Sequence, residues 1–267
     1  MKYMEIKETK CKTALSKSNL PGLTYSLNPY KGCQHKCAYC YVPNVLRINR
    51  DQWGKYIEIK TNIPTVLSKE LKKKKSGIVG ISTVTDPYQP VEKKYRLTRY
   101  CLEQLLKYDF PICIQTKSSI VTRDIDIISK FTKAEVMISI STFSDDIRKL
   151  LEPYSSTIND RLKTLKILSQ NSIQTNVFLG PIYPTIKKQD IPNIIDKLIE
   201  SGVEEIMIDK FNLKPGIYNN ITKSLQKNLE VYRIFNEKIE NNDYYNEIRK
   251  TLFEICNSRN MEVVDAF

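Results

Sequence analysis

Three cysteines fall within eight residues of the stretch GCQHKCAYCYVP, at Cys33, Cys37 and Cys40. Thiolates this close together hold zinc or an iron–sulfur cluster. A structural zinc site closes with four ligands. The nearest fourth ligand is His35, the single histidine of the chain. One residue separates it from Cys33, too few for both to reach one tetrahedral ion readily. No second cysteine pair follows at a zinc-finger distance. A four-iron, four-sulfur (4Fe-4S) cluster suits the spacing better. Three thiolates would cap three irons and leave the fourth open to a ligand from outside the protein. An electron carrier would cap all four, whereas an open position is a catalytic arrangement, as it is on catalytic zinc.

Such a loop needs a scaffold. Short apolar or β-branched runs mark candidate strands at Leu23–Leu27, Ile78–Thr83, Ile112–Thr116, Val136–Ser141, Gln174–Leu179 and Glu205–Ile208. Helical spacing lies between them: Leu97, Cys101 and Leu105 share a face, as do Ile158, Leu162 and Leu165, and Ile194 and Leu198. Pro64, Pro90 and Pro192 fall at or near helix starts, where a missing N–H costs nothing. Asn171 and Gly202 fall at helix ends, where a left-handed residue is wanted. Repeated βα units predict a parallel sheet with helices outside it, and an active site at the carboxyl ends of the strands. A partial barrel and an open doubly wound sheet both fit about six units. The cysteine stretch, STVTDPYQP, TKSS, SIST and GPIYP all fall at such strand ends. The tail from about Asn219 reads as two amphipathic helices, with Leu225, Leu229, Tyr232 and Phe235 on the first and Tyr245, Ile248, Leu252 and Ile255 on the second. A short strand-like end, MEVVDAF, follows.

Hydrophobic residues at 41% and charged residues at 27% describe an ordinary globular chain of 267 residues. No apolar run reaches the roughly 18 residues of a membrane span, and the N-terminus lacks the apolar core of a secretory signal. The expectation is a cytoplasmic protein without a membrane partner. Seven cysteines, an odd number with three clustered, do not suggest a disulfide framework. The net charge of +12 favours polyanions such as nucleic acid. The excess is mostly lysine, however, and arginine is the residue suited to bidentate phosphate contacts, so a compositional bias reads equally well. The run Lys72–Lys75 reads as a solvated helix end.

C-x3-C-x2-C with an aromatic residue before the third cysteine resembles the signature of the radical S-adenosylmethionine (SAM) superfamily. A closer resemblance runs from about Tyr25 to Lys210. There NPYKGCQHKCAYCYVP, TDPYQPVEKKYRLTR, QTKSSIVTRDIDII, SISTFSDDIRKLLEP and GPIYP look like the spore photoproduct lyase-like branch. The resemblance implies a partial (βα)6 TIM-like barrel over residues 22–215, an N-terminal extension over 1–21, and a C-terminal helical extension over 216–267 packed on the core. It implies that Cys33, Cys37 and Cys40 hold the cluster and that SAM binds its open iron. Reductive cleavage would then yield a 5′-deoxyadenosyl radical that takes a hydrogen atom from a substrate. It implies further that Tyr41 lines the SAM pocket, that Thr85 and Asp86 sit beside the methionine moiety, that Lys117 reaches the methionine carboxylate, and that Ser139 touches the cofactor. An electron donor of flavodoxin or ferredoxin type is implied too. Plainer roles stay open for these five residues: core packing, a turn before Pro87, a solvated lysine, and a backbone hydrogen bond. One departure stands out. True spore photoproduct lyase has a hydrogen-donating cysteine two residues before the hydroxyl position, and this chain has Thr83 there. Cys113 shares a strand face with Gln115 and Lys117 and is expected to point inward. Cys101 is expected in the core.

Overall fold

The computed structural model describes residues 4–266; residues 1–3 of the expected N-terminal extension, and Phe267, lie outside the described residues. Eleven strands are present among the described residues: β1 (Glu5–Thr9), β2 (Leu15–Lys17), β3 (Tyr25–Leu27), β4 (Tyr30–Lys31), β5 (Tyr56–Lys60), β6 (Val79–Ile81), β7 (Ile112–Thr116), β8 (Ala134–Ser139), β9 (Gln174–Leu179), β10 (Glu205–Ile208) and β11 (Glu262–Asp265). Eight form one sheet in the order β11-β10-β9-β8-β7-β6-β3-β2. From β3 to β11 every neighbouring pair is parallel, and β2 adds an antiparallel edge. This is the mixed α/β arrangement with a parallel sheet that the βα alternation predicts, and of the two architectures it left open it is the partial barrel that the resemblance implies.

Alternation along the strands sorts the side chains. Ile112, Ile114, Val136, Ile138, Val177, Leu179, Ile206 and Ile208 share one buried core with Leu97, Cys101, Leu102, Leu105, Leu165, Leu168, Ile194 and Leu198 of the helices. The opposite face carries Cys113, Gln115, Glu135, Met137, Ser139, Asn176 and Phe178, aligned across β7, β8 and β9. It is the inner face of the barrel, and it is more polar. A second sheet, β1-β5-β4, stands beside the barrel. Its β4 runs directly into the cysteine loop.

Several expectations shift in detail. The strands read as Leu23–Leu27, Ile78–Thr83 and Val136–Ser141 are β3, β6 and β8, displaced by up to two residues at their ends. The polar residues after β6 and β8 turn away to build the rim. Asn171 caps its helix at φ −101°, and the left-handed residue is Ser172 beside it, at φ 57°. The expected first tail helix is two helices, Ile217–Leu225 and Leu229–Lys238. Asn228 ends the run by accepting a hydrogen bond from the Val231 N–H at 3.1 Å, an N-cap. Leu225 therefore packs in the earlier helix, and Leu229, at 66% exposure, faces solvent. The strand-like end is β11, which extends the barrel sheet beside β10, so the C-terminal segment supplies a seventh parallel strand as well as helices. No helix among the described residues is long and apolar enough to cross a membrane.

Candidate active site

The cysteine loop is shaped by its glycine and by distant anchors. Gly32, immediately before Cys33, has φ +92°. A side chain there would be strained and its Cβ would run into the Tyr56 carbonyl of β5. The Ala38 N–H donates to the Leu151 carbonyl at 2.8 Å, and the Asn220 side-chain amide donates to the Ala38 carbonyl at 2.6 Å. The Gln34 N–H donates to Gln89 at 2.9 Å. Arg50 donates to the Cys40 carbonyl at 2.7 Å. Cys33 is buried against Val42 and Trp53, with the half-buried Cys40 packed on the same group. Cys37 is buried too.

Burial governs the acidity of these thiols. It pushes Cys33 up to about 12, with Asp86 and Cys40 adding to the shift. Cys37 is raised by burial and by Glu152, against the pull of Lys117. Cys40 is raised by burial, while a hydrogen bond from the Val42 N–H and the charges of Lys117 and Arg50 act the other way. Cys33 feels Cys40, Cys37 feels both of the other thiols, and Cys37 and Cys40 share the field of Lys117. Among the described residues, no three Cys, His, Asp or Glu side chains gather around a single ion position.

The loops at the strand ends close around this stretch. Thr85 donates its hydroxyl to the Gly32 carbonyl at 2.6 Å and accepts from Gln89 at 2.9 Å, so it fastens the start of the cysteine loop. The buried Asp86 carboxylate accepts from the Thr116 hydroxyl at 2.7 Å, the Lys117 N–H at 2.9 Å and the Tyr88 N–H at 2.9 Å. His35 Nδ1 lies 3.2 Å from the Asp86 oxygen that also takes the Lys117 N–H, which accounts for a histidine that does not join the thiols. Burial works to raise the Asp86 pKa, but His35 and these donors bring it down to about 2. Asp86 thereby joins the β6 loop to the end of β7 and sets the backbone of Lys117. The Lys117 ammonium lies 5.8 Å from the Tyr39 ring centre. Burial works to lower its pKa, yet Cys37 and Glu152 raise it overall. Ser139 is buried at the end of β8, with its hydroxyl 3.4 Å from the Gln115 amide. Tyr41 is 47% exposed and reaches from the loop to the Thr83 carbonyl at 3.1 Å.

One part of the rim was not singled out in the sequence. Glu152 and Arg161, each 1% exposed, form a buried ion pair. Arg161 also donates to the Ser139 carbonyl at 2.8 Å and to the Ser156 carbonyl at 3.1 Å. Tyr39 of the cysteine loop donates to Glu152, and Tyr183 after β9 lies 3.3 Å from the same oxygen. Burial works to raise the Glu152 carboxyl, but Arg161 and Lys117 outweigh it and hold the pKa at about 2. The group ties the ends of β8 and β9 to the residue before Cys40. Its sequence signal was weak, since a Glu after a helix and an Arg within one look like solvated positions.

The sequence matches the Radical SAM superfamily over residues 27–209. This chain belongs to that superfamily. The superfamily implies an enzyme of SAM-dependent radical chemistry, with a 4Fe-4S cluster and an external reductant. An uncharacterized protein of Methanocaldococcus jannaschii is 32% identical over 252 residues, covering 93% of each chain. A radical SAM Nalpha-GlyT isomerase of Pseudomonas phage M6 is 25% identical over 67% of this chain and 38% of its own. Among solved structures, spore photoproduct lyase complexed with dinucleoside spore photoproduct superposes with a TM-score of 0.72 at 14% identity, over 98% of this chain and 82% of that one. The spore photoproduct lyase-like radical SAM fold expected from the motifs is therefore the fold observed.

The residues present fit the cluster that the superfamily implies. Three thiols stand on one loop, and Trp53 and Val42 pack against two of them, Cys33 and Cys40. Lys117 supplies positive charge to Cys37 and Cys40, and Arg50 to Cys40, which favours thiolates and the anionic cluster they would hold.

Proposed function

We propose that the protein cleaves SAM reductively at a 4Fe-4S cluster held by Cys33, Cys37 and Cys40, and that the 5′-deoxyadenosyl radical takes a hydrogen atom from a substrate at the inner face of the barrel. The observation that supports this reading is that three free thiols share one loop beside a parallel partial barrel, two of them, Cys37 and Cys40, in the field of Lys117. When bound, the cluster would supply the electron for this cleavage and a coordination position for SAM.

The chain's residues do the rest. Lys117, its charge maintained by Cys37 and Glu152, attracts the SAM carboxylate. Asp86 is a positioning residue that sets Lys117 through the backbone. Thr85 holds the cysteine loop, and in this reading Tyr41 and Ser139 would face the cofactor. Glu152, Arg161 and Tyr39 brace the rim. In this reading residues 22–215 form the radical core, 1–21 an N-terminal extension and 216–267 a C-terminal extension. Seven free thiols suit a reducing compartment such as the cytoplasm.

The substrate class we favour is nucleic acid, supported by the net charge of +12 and by the fold shared with an enzyme bound to a dinucleoside photoproduct. The reaction is not that enzyme's own repair cycle, because Thr83 has no thiol hydrogen to return to a product radical. Cys113 is the inward thiol of the barrel. It lies at a lower level, and burial together with its neighbour Glu135 pushes it up to about 12.

The test is anaerobic. The protein is reconstituted with iron and sulfide, reduced with dithionite and given SAM, and 5′-deoxyadenosine is assayed by chromatography. We expect product from the native chain and none from Cys37→Ala. A four-iron protein that binds SAM but forms no product, with or without single-stranded or duplex DNA and RNA, would overturn the reading.

A further inference from the structure

A cavity of about 300 Å³ opens on a different side of the cysteine loop from the barrel rim. Cys37 and Trp53 line it, but Thr85, Lys117 and Ser139 do not. It thus reaches a cluster ligand without crossing the space assigned to SAM and substrate. Its other walls are the Arg50–Gln52 turn, the segment after the Asp145–Leu151 helix, and the C-terminal Ile217–Leu225 helix through Asn220, Lys223 and Ser224.

The lining is strongly basic. Lys36, Arg50, Lys55 and Lys223 contribute to it against one acid, Asp51. Lys36, Lys55 and Lys223 are exposed, and among the described residues none of the three is ion-paired. Unpaired lysines around a concavity make a positive potential that draws in a negatively charged partner. Gly54, at φ +74°, packs so closely on Lys36 that a Cβ would come within 2.5 Å of its side chain. That contact holds the lysine stem against the Trp53 turn.

We propose that this cavity is the docking surface of an acidic one-electron carrier protein. The proposal rests on the radical reading, which requires one electron per SAM cleaved from a source outside the chain. One electron leaves the reduced carrier, which is oxidised by one unit, and passes at Cys37 to the cluster, which is reduced by one. No bond forms or breaks and no proton moves. Redox complexes are transient and bury less than about 1,200 Å² in total, so a small basic concavity suffices. Charge steering then sets the association rate and makes it fall with salt. The Ile217–Leu225 helix has a place in this scheme, since Lys223 forms part of the surface and Asn220 holds the loop that carries Cys37.

The experiment uses the reconstituted holoprotein and a reduced acidic flavodoxin as the probe. Flavodoxin affinity is measured directly, and the oxidation of its hydroquinone is followed by stopped flow. Dithionite-driven 5′-deoxyadenosine formation is measured in parallel. For the double variant Lys55→Glu, Lys223→Glu we expect at least a roughly tenfold loss of flavodoxin affinity and electron-transfer rate at low salt, with the gap closing toward about 0.5 M salt as screening takes over. Dithionite-driven cleavage should be unchanged. Native flavodoxin affinity in the double variant overturns the proposal. So does an affinity loss matched in full for a duplex oligonucleotide, which would make the cavity an unselective polyanion patch. If the native protein binds flavodoxin through these lysines yet forms no product with dithionite, the docking surface stands and the radical reading fails.

Discussion

Lys117 and Gly32 show how much a single position carries here. Lys117 is held by backbone and field together: its N–H donates to Asp86, and its ammonium sits among Cys37, Glu152 and Arg161. Lys117→Ala should leave iron content unchanged and weaken SAM binding at least about tenfold, roughly 1.4 kcal/mol, measured by calorimetry on the reconstituted protein. Unchanged SAM affinity would remove Lys117 from the cofactor pocket. Gly32 is a matter of shape. Gly32→Ala places a methyl group against the Tyr56 carbonyl in a left-handed conformation, so iron bound per chain should fall sharply even where the fold survives by circular dichroism. Thr85 separates two roles. If its hydroxyl serves only the Gly32 carbonyl, Thr85→Ala costs about 1 kcal/mol of stability and spares SAM affinity. Loss of affinity without loss of stability would place the hydroxyl on the cofactor instead.

At the scale of elements, the Glu152–Arg161 pair joins the ends of β8 and β9 to the cysteine loop. Breaking one side of a buried pair leaves an uncompensated charge, at a cost of about 3–5 kcal/mol. Arg161→Met should therefore lower the denaturation midpoint far more than Arg161→Met combined with Glu152→Gln. The same carboxylates set the acid limit. Asp86 and Glu152 are both held near 2 in the folded chain, below their ordinary values. Their contribution is fully present above about pH 4–4.5 and is lost as pH falls from there toward 2. Unfolding followed by fluorescence should show this loss, and Glu152→Gln should flatten it. The thiol spacing and the βα rhythm made the superfamily, the strands and the rim loops readable in advance, because each follows from a local pattern. Glu152, Arg161 and Tyr39 were not readable, because their partnership exists only once residues far apart in the chain are folded together. The Asn228 cap was overlooked because Leu225, Leu229 and Tyr232 keep helical spacing across the break.

For the whole molecule, the barrel sheet ends at β2 on one side and β11 on the other. β11 covers the edge of β10, and an uncovered edge invites pairing with other chains. A chain truncated after Ser258 should aggregate or elute as higher oligomers in gel filtration; a monodisperse monomer would show that β10 tolerates exposure. The net charge of +12 includes the four basic residues that line the cavity beside Cys37. Binding to nucleic acid, where it occurs, should fall steeply with salt.

The anchoring of the cysteine loop also bears on the order in which the protein is made. Ala38 is held at once by Leu151 and by Asn220, residues synthesised long after it. While the chain grows from its N-terminus, Cys33, Cys37 and Cys40 leave the ribosome with neither anchor in existence. The loop takes its final form only after the Ile217–Leu225 helix has emerged and docked. In the proposed reading, iron that arrived before that helix docks would meet a loop not yet in shape, and the nascent thiols would have to be kept reduced until then.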